Sequence, residues 1–134
     1  MTRKDARELI MQLLYQMELL NDYEEETKNS YIAKHFAGSN HEKYAVRLLE
    51  TILANKEKID ETINAASNKW KTSRMSKVDV SILRLAAGEV LYMDDIPDAV
   101  AINEAVSMAK KFSAEESGSF INGILGNIVK GKDA

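Results

Sequence analysis

A chain of 134 residues with no cysteine and a formal net charge of −3 is a single domain by length, and it has no disulfide or thiolate metal site; a reducing cytoplasm is its natural compartment. At this size folding buries about 68% of the surface of the unfolded chain, enough for a core without staples. The acidic balance excludes a protein that coats nucleic acid by bulk charge, so any such site must come from local basic clusters. The opening Met1-Thr2-Arg3-Lys4-Asp5 has no apolar signal region, and no stretch approaches the ~18 uncharged apolar residues of a membrane span, so a soluble, non-exported protein is expected.

One Pro and six Gly leave few interruptions, and the hydrophobic pattern is helical almost throughout. A first helix is predicted from about Thr2 to Leu20, with Thr2 and Asp5 at capping-box spacing and an apolar stripe of Ala6, Leu9, Ile10, Leu13, Leu14, Met17 and Leu20. Asn21 to Thr27 carries Asp22, Glu24, Glu25 and Glu26 and reads as a solvated connector. A short helix follows near Lys28 to Ala37, with Tyr31, Ile32 and Phe36 inward and Gly38 as its stop. Ser39 and Glu42 repeat the capping-box spacing before a helix that buries Ala45, Leu48, Leu49 and Ile52. Asn55 and Lys56 mark a break, and Ile59, Ile63, Ala66 and Trp70 form the next apolar row.

Ser76 is placed to cap a fifth helix, with Asp79 three residues on. Val78 to Ile82 alternates as a half-buried strand would, but Leu83, Leu85, Ala86, Ala87, Val90 and Leu91 break that period. The stretch is apolar on nearly all sides, as an enclosed central helix would be. Met93 to Asp98 turns around Ile96-Pro97. A sixth helix buries Ile102, Ala105, Val106, Ala109 and Phe112; a last one uses Phe120, Ile121, Ile124, Leu125 and Ile128. The fold class is all-α, a compact array of six or seven helices in two packed sub-bundles, roughly 1–72 and 73–134, within one domain spanning 1–134.

Catalysis finds no support. There is no phosphate-cradling glycine loop and no dinucleotide fingerprint. His35 and His41 lie six apart across Gly38 and read as surface polar residues; Asp94, Asp95 and Asp98 read as a solvated turn. Neither Ser117 nor Ser119 has a nearby His to activate it. No catalytic residue, metal ligand or cofactor is therefore assigned. Three basic clusters stand out: Arg3, Lys4 and Arg7; Lys69, Lys71, Arg74 and Lys77; and Lys110 with Lys111. Each alone reads as a solvated face, and together they form a binding surface if folding gathers them. Phe120 has two readings, as the start of a core stripe or as an aromatic beside positive charge on which an unpaired base stacks. Tyr15, off the main stripe, suits either a protein interface or packing on a neighbouring helix.

Several segments resemble the NusB family of transcription antitermination factors. They are Arg7-Glu8 with Leu13-Leu14-Tyr15-Gln16; Trp70, Arg74-Met75, and Val78-Asp79 with Ile82 to Ala86; Ile96-Pro97 with Val100 to Val106, Ala109-Lys110 and Phe112; and Glu116-Ser117 with Phe120 to Leu125. The Pro-to-Glu-Ala and Phe-x-Asn-Gly-x-Leu segments are the specific parts. The resemblance implies an all-helical, non-enzymatic protein without cofactor. It would bind single-stranded boxA RNA together with NusE, a small-subunit ribosomal protein, and act indirectly on the RNA polymerase elongation complex, notably on ribosomal RNA operons. It implies RNA contacts at Arg3, Lys4, Arg7 and Gln12, and across Lys110, Lys111, Glu116, Ser117 and Phe120. It implies NusE contacts at Tyr15, Arg74 and Asp79, and allows a homodimer. Other readings are a helical adaptor that binds proteins only, and a relative of the NusB-like domain of ribosomal RNA methyltransferases. The chain departs from the family at Asp5 and Glu8, which dilute the opening basic cluster, at Gly88, where an aromatic is usual, and at Gly126, where Asp is usual.

Overall fold

Thr2 starts the first helix by a reciprocal exchange. Its hydroxyl accepts the Asp5 N–H at 3.0 Å while the Asp5 carboxylate accepts the Thr2 N–H at 3.0 Å, so two otherwise unpaired donors are satisfied. Helix α1 runs Arg3–Leu20 and closes on Asn21 in the left-handed region, φ 50°. The structure, a computed structural model, describes residues 1–133; Ala134, the end of the expected domain, and the side chain of Asp133 lie outside the described residues.

Helix α2 spans Glu25–Phe36 and begins earlier than the apolar pattern predicts, because Glu25 and Glu26 occupy its first turn, where the helix dipole favours acids. Gly38 makes the following turn at φ 75°. The capping box expected at Ser39 and Glu42 does not form. Ser39 Oγ instead accepts the His41 N–H at 3.1 Å, the Glu42 carboxylate accepts the Gly38 N–H at 3.3 Å, and α3 runs Glu42–Ala54 from His41. After Asn55 comes α4, Lys56–Ala66. A 3-10 turn at Thr72–Arg74 leads to α5, Lys77–Tyr92, whose cap is the expected Ser76, its hydroxyl accepting the Asp79 N–H. Pro97 precedes α6, Asp98–Phe112, and α7 is Ser117–Asp133. The described residues thus form seven α-helices and no strand; the alternation at Val78 to Ile82 is the opening of α5.

Every residue from Asp79 to Val90 is buried. Helix α5 packs against α1, α3, α4, α6 and α7, and one continuous apolar core joins α1–α4 to α5–α7. That encirclement explains its all-round hydrophobicity, which a surface helix would not tolerate. Gly88 marks a close approach of α5 to α3: a Cβ there would lie 2.8 Å from Ile52 Cγ1. Among the described residues no helix is long and apolar enough to cross a membrane.

Three expectations of burial are corrected. Trp70 does not extend the buried row of α4. That helix stops at Ala66, Asn64 Oδ1 accepts the Thr72 N–H at 2.7 Å, and the chain turns away, leaving Trp70 46% exposed. At the end of α1, Leu20 faces outward, while Met11 is buried instead. On α6 the core positions are Ala101, Ala105, Met108 and Ala109, with Ile102 and Phe112 at the core margin and Val106 half-buried.

Two sets of ion pairs define how the helices lie. Arg7 meets Glu89 and Glu18 meets Arg84, so α1 runs antiparallel to α5. Lys4 meets Glu104 and Glu8 meets Lys111, so α1 runs parallel to α6. The second pairing sets Lys4 beside the middle of α6 and Glu8 beside its last turn.

Candidate nucleic-acid interface

Arg7 was expected on the surface and stands inside the molecule. It is 4% exposed, and its Nε donates to both carboxylate oxygens of Glu89, at 3.2 and 3.1 Å. Glu89 is fully buried and also accepts a hydrogen bond from the Tyr44 hydroxyl. Burial pushes the Glu89 carboxyl up, against the Tyr44 bond and the Arg7 charge, which favour its ionised form. A buried carboxylate needs a partner, and Arg7 is that partner, so its guanidinium is committed and is not offered to a phosphate. Arg7 and Phe120 also lie toward opposite ends of α5. Glu89 is ten residues along the helix from Asp79, which lines the groove with Phe120, a rise of roughly 15 Å.

What α1 does present is Lys4 and Gln12, both exposed. Lys4 Nζ donates to Ser107 Oγ at 2.9 Å. Glu8 holds Lys111 Nζ at 2.7 Å, and Gln12 follows Glu8 by one turn on the same side of α1. Lys110 and Lys111 are exposed in the last turn of α6, where the helix dipole favours cations. The stem of Lys110 covers Gly118, whose added Cβ would lie 3.7 Å from Lys110 Cγ. A ridge therefore runs from Lys4 along the α1–α6 seam to the start of α7. Glu8 offsets part of its charge at Lys111. Arg3 is half-buried, its Nε donating to His41 Nδ1 at 3.2 Å and its guanidinium carbon 3.9 Å from the centre of the Tyr44 ring.

The ridge ends at a groove of about 770 Å³ at the amino end of α5, lined by Trp70, Arg74, Asp79, Phe112, Glu116 and Phe120 among others. Phe120 is half-buried and packs on the core while also lining this groove. Glu116 and Arg74 are exposed on its rim. Ser117 is not an open contact: it is 4% exposed and donates to Asp79 Oδ2 at 3.0 Å. Ser113 donates to Asp79 Oδ1 at 2.6 Å. Asp79, 8% exposed, thus ties α5 to the end of α6 and the start of α7, and it shapes the groove wall instead of offering its carboxylate outward. Tyr15 is half-buried and packs against the core. Sequence reasoning missed Trp70 as a surface aromatic. Its signal was local: it sits between Lys69 and Lys71, and Lys69 Nζ lies 5.6 Å from its ring.

Residues 4–130 match the NusB family model. The chain is 49% identical over 132 residues to the transcription antitermination protein NusB of Acetivibrio thermocellus, covering 98% of this chain and 91% of that protein. With NusB of Natranaerobius thermophilus it shares 44% identity, covering 96% and 94% of the two chains. Among solved structures, NusB of T. maritima superposes with a TM-score of 0.87 at 34% identity, covering 97% of this chain and 92% of that one. A crystal structure of the antitermination factors NusB and NusE in complex with dsRNA matches with a TM-score of 0.84 at 26% identity, covering 96% of each chain. Family model, full-length relatives and helix arrangement agree: the chain belongs to the NusB family of transcription antitermination proteins.

Proposed function

We propose that this protein is an antitermination factor that binds boxA-type single-stranded RNA together with NusE and acts, through that complex, on elongating RNA polymerase in the cytoplasm, notably during ribosomal RNA transcription. It works by binding and carries out no reaction of its own. The observation that carries this reading is the α1–α6 seam, which sets Lys4, Gln12, Lys110 and Lys111 along one exposed ridge leading to the aromatic groove. Lysines on the ridge neutralise phosphates, the salt-sensitive part of affinity. Phe120 and Trp70 offer ring faces on which unpaired bases stack.

Three phosphate contacts by Lys4, Lys110 and Lys111 give a log–log salt slope of about −2. So shallow a slope implies weak binding by the chain alone, which suits a net charge of −3. NusE then supplies additional surface, with Tyr15 and Arg74 as its proposed contacts and Asp79 supporting that edge from within. By linkage, RNA and NusE tighten each other equally. The test is a titration of boxA RNA at two salt concentrations, with and without NusE. Tighter binding with NusE is expected, and for the chain alone a shallow slope to which the three lysines contribute about −2. Affinity unchanged by NusE, or equal for a scrambled strand, would replace this reading with that of a protein-only adaptor.

A further inference from the structure

Behind the ridge lies a charged cluster that the RNA-binding reading leaves without a role. Glu89, fully buried, holds Arg7 on one side and the Tyr44 hydroxyl on the other. The Tyr44 ring, 7% exposed, carries the Arg3 guanidinium on its face at 3.9 Å, and His41 Nδ1 fixes the Arg3 Nε–H at 3.2 Å. Two carboxylates lie near Arg3 and each is taken by another arginine: Arg7 holds Glu89 at both oxygens, and Arg47 holds the exposed Asp95, whose charge Arg3 also feels, at 2.9 Å. Arg3 is thus held by a ring face and an imidazole nitrogen, neither of which cancels its charge.

We propose that Tyr44 is a positioning residue for RNA binding, a platform that holds Arg3 on the α3 side of α1, one residue before Lys4 of the ridge, with its charge unspent. The proposal rests on the RNA-binding reading above and adds Tyr44 and, as a fourth phosphate contact, Arg3, which steepens the lysines' slope of about −2 to about −3. Its physical basis has two steps. A phenol that donates to a buried carboxylate gains electron density in its ring, and the negative ring face then holds a cation more strongly. An arginine already held in place has less conformational freedom to lose when a phosphate arrives. Arg7, by keeping Glu89 ionised and oriented, supports Tyr44 and reaches the RNA only through it.

The experiment measures binding of single-stranded boxA RNA, in the presence of NusE, across a salt series for five proteins: wild type, Arg3→Ala, Tyr44→Leu, Tyr44→Phe and the double variant Arg3→Ala/Tyr44→Leu. Tyr44→Leu should weaken binding by about two- to tenfold and flatten the salt slope by about 0.7, as Arg3→Ala does. Tyr44→Phe keeps the ring and should rescue the slope even though it loses stability. The double variant Arg3→Ala/Tyr44→Leu should bind no more weakly than Arg3→Ala alone. A purely structural Tyr44 would leave the slope at its wild-type value and add to the Arg3 effect, and either result would overturn the proposal. Should Tyr44→Leu fail to fold, the wild-type protein decides by NMR: the Arg3 side-chain protons must be shifted upfield by the Tyr44 ring current, and ordinary shifts would overturn it. Absence of boxA binding by wild type with NusE sinks the functional reading as well. Wild-type binding with an unchanged Tyr44→Leu slope sinks the Tyr44 proposal alone.

Discussion

A single carboxylate decides what Arg7 can do. Glu89 is fully buried, and Arg7 answers its charge at both oxygens. Arg7→Ala should therefore cost stability, on the order of 3–5 kcal/mol in denaturant unfolding at neutral pH, since it strands a buried charge. Part of that loss should return on acidification, because Glu89, already pushed up by burial, then takes a proton in the folded state. Phe120 sits between two roles for a geometric reason: it packs on the core and also borders the groove. Phe120→Ala should keep the fold and cost less than the ~3–5 kcal/mol of a fully buried phenylalanine, while weakening boxA binding by about 1–3 kcal/mol. Thermal melting and RNA titration on the same preparation separate the two. Wild-type RNA affinity in Phe120→Ala would remove it from the binding surface.

Among the helices, α5 sets the terms for the rest. Propensity alone rates its Gly88 as a defect worth roughly 1 kcal/mol against alanine. Packing reverses the sign. A Cβ at 88 would meet Ile52 Cγ1 at 2.8 Å, an atom near the base of a branched side chain with little freedom to retreat. Gly88→Ala should thus destabilise the protein by about 1–3 kcal/mol, with α3 forced outward. A rise in melting temperature would show that α3 gives way freely. The same helix explains Asp79 and Ser117. Helices α5, α6 and α7 converge where Asp79 accepts from Ser113 and Ser117, so residues that looked like outward contacts serve to join helix ends.

Across the whole molecule, Arg84 links three helices. It is 5% exposed, pairs with Asp60 of α4 through Nε and Nη2 at 2.8 and 2.9 Å, and donates from Nη1 to Glu18 of α1 at 2.6 Å. Burial works against ionised Glu18, but hydrogen bonds from Tyr23, Arg84 and Lys77, with the Arg84 charge, outweigh it and hold the carboxyl at about 2, below its usual 4.5. The unfolded chain takes that proton first. The stabilisation is therefore complete above pH 4.5 and is lost as pH falls toward 2. Glu89 runs the other way, its burial cost fading in acid. Comparing wild type with Glu18→Gln isolates the first effect: the gap in melting temperature should be widest above pH 4.5 and should close toward pH 2. A gap that does not change with pH would contradict the assignment.

Much of the fold was legible in the chain. Helical periodicity, the Thr2 and Ser76 caps, the Gly38 stop and the all-round apolar run of α5 are local patterns, and local patterns record which side of a helix avoids water. The resemblance to the NusB family was equally readable, since it was carried by contiguous strings such as Phe120-Ile121-Asn122-Gly123-Ile124-Leu125. The fate of a charge was not readable. Lys4 and Arg7 are three residues apart on one helix, yet Lys4 is exposed and Arg7 is enclosed, because Glu89 stands opposite only one of them, 82 residues away in sequence. Trp70, Gly88, Asp79 and Ser117 follow the same logic. Burial, close approach and pairing depend on which helix lies across the gap, a long-range property that periodicity along one strand of sequence does not contain.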